Sequence, residues 1–257
     1  MKLIDLWIIV ILAINGIFFL LGLFFFIPKD RRFLDFFNNI TTQNKFLLII
    51  FLIVAFHLFE VNIVDTPLTD WLGFDFTKNI IAIEGGAVNW FSQNWTPVLV
   101  YFFVFIYIGV YIFTLWFTPL FFLIIGDRNA MKNLAYGFLA IYLIALPFYL
   151  FFPVTNVYVY FNSSSALESV LPSIEGFFYS TTTQNNCLPS LHTAMTVLIA
   201  YTVYLTGNKR YTYFTGVTMV LVIISVIYLS IHWITDVITG LLLSIGVILL
   251  LRRYMAK

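Results

Sequence analysis

The sequence predicts an all-α fold, a polytopic bundle of about seven membrane-spanning helices. Three observations predict it. Apolar residues fill 61% of the 257 positions and charged ones only 10%, with a mean hydropathy of +0.98, whereas soluble domains carry about 25% charge. Runs of about 20 apolar residues, each enough to cross ~30 Å of hydrocarbon, recur along the chain. The basic residues sit in short clusters between those runs, so a net charge of +1 offers no basic surface for nucleic acid.

The spans follow in order. Leu6–Ile27 is longer than a signal-peptide core and lacks a small-residue cleavage site, so it reads as a retained span. Phe46–Glu60 is short for a crossing and can continue through Val61–Val64. Pro97–Ile125 is long, which predicts a tilt or a break near Pro119. Asn133–Pro153, Pro189–Leu205, Tyr213–Leu229 and Trp233–Leu251 complete the set. No repeat, low-complexity tract or linker divides the chain, so residues 1–257 read as one integral membrane domain. The single cysteine excludes an internal disulfide.

Charge placement orients this bundle. With seven alternating spans, one side receives Lys29, Arg31, Arg32, Lys45, Arg128, Lys132, Lys209, Arg210, Arg252, Arg253 and Lys257, and the other only Lys2 and Lys78. Short loops rich in Lys and Arg stay cytoplasmic. The expectation is an N-terminus outside and a C-terminus inside.

The chain has three histidines, and this orientation brings two of them to one outer face. His192 lies in "CLPSLHTAM" (Cys187–Met195) at the start of the fifth span. His232 lies in "YLSIHWITD" (Tyr228–Asp236) at the start of the seventh. Pro189 suits a first helical position. Ser190 adds a hydroxyl to the unpaired amides of the first turn, so Pro189, Ser190 and Leu191 form a candidate phosphate cradle. Four residues separate His232 from Asp236, which on a helix places them in contact. A carboxylate on one ring nitrogen fixes the tautomer and raises the basicity of the other.

Pro189-Ser190-Leu191-His192, followed some 40 residues later by His232-Trp233-Ile234-Thr235-Asp236, resembles the second and third motifs of the type-2 phosphatidic acid phosphatase superfamily. The resemblance covers about Thr183–Leu251. It implies a six-helix phosphatase-type core and a phosphohistidine mechanism without cofactor or metal. His232 would be the nucleophile, Asp236 its orienting partner and His192 the general acid, with Ser190 on the phosphate. The implied substrate is a membrane lipid at the outer face: phosphatidate, a polyprenyl diphosphate or an inositol phospholipid, with water or an alcohol as acceptor. The family's first motif, a lysine followed by Arg-Pro, has no counterpart, because no Arg-Pro dipeptide occurs. Ser225 and Val226 stand where the third motif commonly opens with Ser-Arg. The Tyr228–Asp236 pattern and "FYLFFPVTNVY" (Phe148–Tyr158) resemble the inositol phosphorylceramide synthase-like branch. That branch also lacks the arginine, and headgroup transfer competes there with hydrolysis.

The remaining polar residues read more plainly. His57 and Glu60 form an i,i+3 pair with a structural or snorkelling role. Asp65, Asp70, Asp75 and Glu84 suggest either a cation site or solvation, with solvation the default. Trp71, Phe74, Phe76, Trp90, Phe91 and Trp95 suit an interfacial belt better than a lid. Ser163–Ser165 and Ser180–Asn186 read as a hydrated loop, and Cys187 as an incidental small residue. Two other classes remain open: a lipid or proton-coupled transporter using the same ionisable groups, and an inactive relative lacking the phosphate-binding cations.

Overall fold

The structure is a computed structural model that describes residues 3–31, 35–163, 165–171, 174, 175, 179 and 182–255. Lys2, Arg32, Ser164, Ser180, Thr181 and Lys257 lie outside the described residues. The described chain is helical, and its one strand-like pairing is an isolated bridge between Val154 and Asn186.

The first span, α1, runs Leu3–Phe26. The second is much longer than its apolar core suggested. α2 (Asp35–Phe59), a π-helical turn (Glu60–Asp65) and α3 (Thr66–Leu72) run on without a break, giving a continuous apolar helix from Phe36 to Leu72. Its polar beginning stays helical because Thr41 and Thr42 donate to Asn38 and Asn39 carbonyls in their own helix, while Gln43 is buried.

Two short helices follow, α4 (Thr77–Glu84) and α5 (Asn89–Gln93). α6 (Pro97–Val104), a second π turn (Phe105–Val110) and α7 (Tyr111–Ile125) then form the third span. Its irregularity lies at that π turn and not at Pro119, which sits inside α7.

α8 (Arg128–Phe151) starts on an Asp127 cap whose side chain accepts from the Ala130 amide. Two single-turn helices, α9 (Val157–Tyr160) and α10 (Ala166–Val170), lie in the segment that leads to the fifth span. That span, α11 (Leu191–Leu205), has only 15 residues, about 22 Å at 1.5 Å per residue. α12 (Lys209–Tyr228) and α13 (Ile234–Met255) complete the bundle. Six described segments are long and apolar enough to cross a membrane, and α11 is the short seventh.

The main core joins α2, α7, α8 and α11 through Phe113, Phe117, Phe121, Met131, Leu134 and Leu198. Gly137 permits the close approach of α8 to α11, since a Cβ there would meet Leu198 Cδ2 at 2.5 Å. Facing the lipid, Leu12, Leu20, Phe24, Phe51 and Leu242 are exposed, as helices in hydrocarbon allow. Trp71 is 80% exposed, whereas Phe91 and Trp95 pack beside the buried cluster that contains Tyr228.

Candidate active site

α11 and α13 start against each other. The Ser190 amide donates to the Asp236 carbonyl at 3.0 Å. Gly240, in the second turn of α13, allows the approach, because a Cβ there would lie 2.6 Å from the Ser190 carbonyl oxygen. Tyr149 of α8 donates to the Pro189 carbonyl at 2.7 Å. The Trp233 indole N–H donates to the Thr155 carbonyl at 2.8 Å, which ties the start of α13 to the segment after α8.

Pro189 is not the first helical residue. Ser190 is the N-cap, its side chain accepting from the Thr193 amide, and Pro189 precedes the cap. A serine oxygen can close the first turn and a proline ring cannot, so the helix begins one step later. The Ser190 hydroxyl is fully buried and also accepts from Thr193 Oγ1 at 3.2 Å. The amides of Leu191 and His192, next in the turn, make no hydrogen bond to a described residue.

His232 and Asp236 are together, though not as two residues on one helix. α12 ends at Tyr228, and Ser230 takes a left-handed φ of 57°. The Val226 carbonyl accepts from both the Ile231 and His232 amides. His232 therefore stands in the turn before α13. Asp236, in the first turn of α13, reaches back to accept the Trp233 amide at 2.8 Å, the return half of a capping box. The same oxygen, Oδ2, lies 3.3 Å from His232 Nδ1.

The chain of contacts continues. His232 Nε2 is 3.2 Å from His192 Nδ1, and His192 Nε2 is 2.6 Å from the Tyr107 hydroxyl. One proton arrangement satisfies every link. The Asp236 carboxylate accepts only, so His232 carries its proton on Nδ1 and offers a lone pair at Nε2. His192 Nδ1–H then donates to that lone pair, and Tyr107 donates to His192 Nε2. Both His232 and Asp236 are buried.

Tyr107 had no sequence signal. It lies 85 residues from its partner, in the π turn of the third span, and π turns inside helices recur at functional sites. Glu84 was also misread. Rather than being a solvated loop acid, it closes the start of α13: Oε2 accepts from the Thr235 amide and hydroxyl, each at 2.7 Å, and Oε1 from the Ile234 amide at 3.2 Å. Asp65 is fully buried, so solvation does not describe it either. His57 does pair with Glu60, its Nδ1 being 3.7 Å from Glu60 Oε2.

Cys187 Sγ, His232 and Asp236 offer donor atoms within 4.8 Å of one another. Burial pushes the Cys187 thiol well up from its usual range, which disfavours the thiolate a metal requires. The His232 nitrogen facing Asp236 is also committed to that carboxylate. These three groups therefore fit a packed, hydrogen-bonded cluster better than a metal site.

A cleft of about 660 Å³ reaches the segment after α8. Thr155, which holds Trp233, lines it together with Asp70, Asp75, Tyr179, Thr182 and Thr183. Among the described residues its lining contains no lysine or arginine.

No curated protein and no solved structure matches the chain. The family model described as the PAP2 superfamily matches residues 77–250, from α4 through nearly all of α13, and that superfamily carries phosphatase- or phosphotransferase-type chemistry. The matched region is more than half of the chain and contains both histidine motifs, so this protein belongs to the PAP2 superfamily.

Proposed function

We propose that this protein is a membrane lipid phosphatase or phosphotransferase that works through a phosphohistidine on His232 at the extracytoplasmic face. One observation carries the reading: His232 Nε2 faces His192 at 3.2 Å while its other nitrogen is held by the buried Asp236. A carboxylate-backed imidazole that presents its lone pair at Nε2 is an activated nucleophile once the phosphate takes the place of the His192 contact.

In this scheme the substrate phosphate enters between the two rings and binds the open amides of Leu191 and His192, at the positive end of α11. His232 Nε2 attacks phosphorus, forming an N–P bond as the bond to the lipid oxygen breaks. His192, made cationic by a proton that arrives with the substrate phosphate, gives that oxygen a proton from Nδ1 and returns to the neutral ring. Water or an alcohol then attacks the phosphohistidine, His192 takes its proton, and His232 is restored. Asp236 stabilises the imidazolium throughout. Tyr107 holds the His192 ring at its far nitrogen. Pre-aligned donors and a proton relay together supply the charge stabilisation that lysine and arginine provide elsewhere.

Transfer to an alcohol, including an inositol-type headgroup exchange, is the second reading. The cleft at Thr155 would suit such an acceptor, since its lining offers hydroxyl, amide and carboxylate groups to a hydroxyl-rich molecule. Transport is disfavoured by the histidines' continuous contacts with one another. The test is phosphate release by the purified protein from phosphatidate, polyprenyl diphosphate and inositol phospholipid, with and without alcohol acceptors. His232→Ala serves as control, and its rate should fall by about 10³-fold or more. Release lost in that variant supports the phosphatase, and a transfer product that requires the acceptor supports the transferase. A folded, lipid-binding protein that yields neither product overturns the enzyme reading.

A further inference from the structure

The second long helix carries two buried acids that the catalytic scheme leaves unused. Glu60 is 1% exposed and Asp65 0%. They open and close the π turn Glu60–Asp65. Residues five apart on an α-helix point about 140° from each other, whereas i→i+5 bonding brings them roughly one turn apart on a common side. The π turn thus stacks two carboxylates on a single buried face.

The atoms around them are unpaired in a consistent way. Neither Asp65 carboxylate oxygen makes a hydrogen bond, nor does Glu60 Oε1. Thr183 and Asn186, on the loop leading to α11, lie against the Asp65 carboxyl. Yet Thr183 Oγ1 and both amide atoms of Asn186 also lack hydrogen bonds, although Asn186 is only 9% exposed. Thr183 and Asn186 thus stand beside Asp65 without a close hydrogen bond, and Glu60 lies at the other end of the same π turn. Leaving two carboxylates buried without compensation costs several kcal/mol of order. His57 and Tyr142 reach only the other Glu60 oxygen, Oε2, at 3.7 and 3.3 Å. The carboxylate, hydroxyl and amide oxygens among these atoms are ligands that hard cations prefer. The cleft lined by Asp70, Asp75 and Thr183 reaches one member of this group, Thr183.

We propose that Glu60, Asp65, Thr183 and Asn186 form a binding site for a hard metal cation of the Mg²⁺ or Ca²⁺ class. The ion bridges the second span to the loop that carries Pro189 and Ser190, and so holds the start of α11 in place. It takes no part in bond making at His232.

The test uses the full chain, purified in detergent and stripped with a chelator. Mn²⁺ binding is followed by loss of the free-ion magnetic resonance signal, with Mg²⁺ and Ca²⁺ as competitors, and thermal unfolding is recorded with and without each ion. The wild type should bind Mn²⁺ saturably, release it to Mg²⁺ or Ca²⁺, and unfold at higher temperature when loaded. Asp65→Asn keeps the shape and removes the charge, so its affinity should weaken at least about tenfold. The metal-free variant should be no less stable than the metal-free wild type. Glu60→Gln is the second variant, read the same way if Asp65→Asn does not fold. A wild type that binds no ion overturns the site, as does a variant that binds as tightly as the wild type. None of these readouts depends on turnover, so failure here is separate from failure of the phosphohistidine scheme.

Discussion

α11 and α13 begin within hydrogen-bonding distance of each other, yet their first turns are finished differently. At α13 the leading amides are all taken, Trp233 by Asp236 and both Ile234 and Thr235 by Glu84. At α11 the Ser190 oxygen reaches the Thr193 amide at a long 3.4 Å, and the Leu191 and His192 amides bond to no described residue. Both ends carry the same partial positive charge. What separates them is whether the protein brings its own carboxylate. Glu84 seals one start, and in the proposed scheme the other receives the substrate's anion next to two histidines. A helix start binds phosphate only where the surrounding fold has not already supplied an anion.

The strongest way to break this comparison is Asp236→Asn, because Asp236 serves both helix starts, by its side chain at α13 and its carbonyl at α11. Asparagine still accepts the Trp233 amide but cannot stabilise a cationic His232. Turnover should fall about 10²- to 10⁴-fold, with little change in thermal unfolding. Undiminished turnover would remove the His232–Asp236 pair from the mechanism. Glu84→Ala opens the sealed start. Two amides and the Thr235 hydroxyl lose their acceptor, which should cost about 1–2 kcal/mol of stability, read as a lower thermal midpoint. Turnover at a permissive temperature should stay near wild type, since Glu84 contacts neither histidine; a large loss there would place Glu84 in the chemistry. Ser190→Ala should have the smallest effect, about 1 kcal/mol or less, because its capping bonds are long. The expected signature is a raised KM with kcat largely kept, as the first turn frays. A loss in kcat alone would mean that the hydroxyl itself acts on the reacting phosphate.

The membrane architecture was legible because hydrocarbon imposes a length and a composition on every span. Boundaries were less so. Apolar length starts the second span at Phe46, past the polar stretch Asn38–Gln43, yet in the helix the threonines of that stretch bond to their own backbone. Neither π turn was visible, since one extra residue in a helical turn leaves no mark in an apolar pattern. The two motifs brought His192, His232 and Asp236 into view, but the geometry joining them was only partly foreseen. Four-residue spacing suggested a helical pair, whereas the contact comes from a capping aspartate reaching back to a histidine in the preceding turn. Tyr107 and Glu84 come from elements far away in sequence, so no local spacing pointed to either.

The sequence by itself determined that the chain crosses a membrane as helices, and which short motifs hold its ionisable groups. Both follow from local rules: apolar length answers to the bilayer, and motif chemistry depends on residue type and spacing. Only the tertiary structure decided which helix start is sealed and which is open, which tyrosine holds His192, and that Glu60 and Asp65 are buried on one face. Those outcomes depend on what another helix places opposite a given amide or carboxylate. Such a partner is set by packing across the bundle, as Gly240 shows where it lets the Ser190 carbonyl come close.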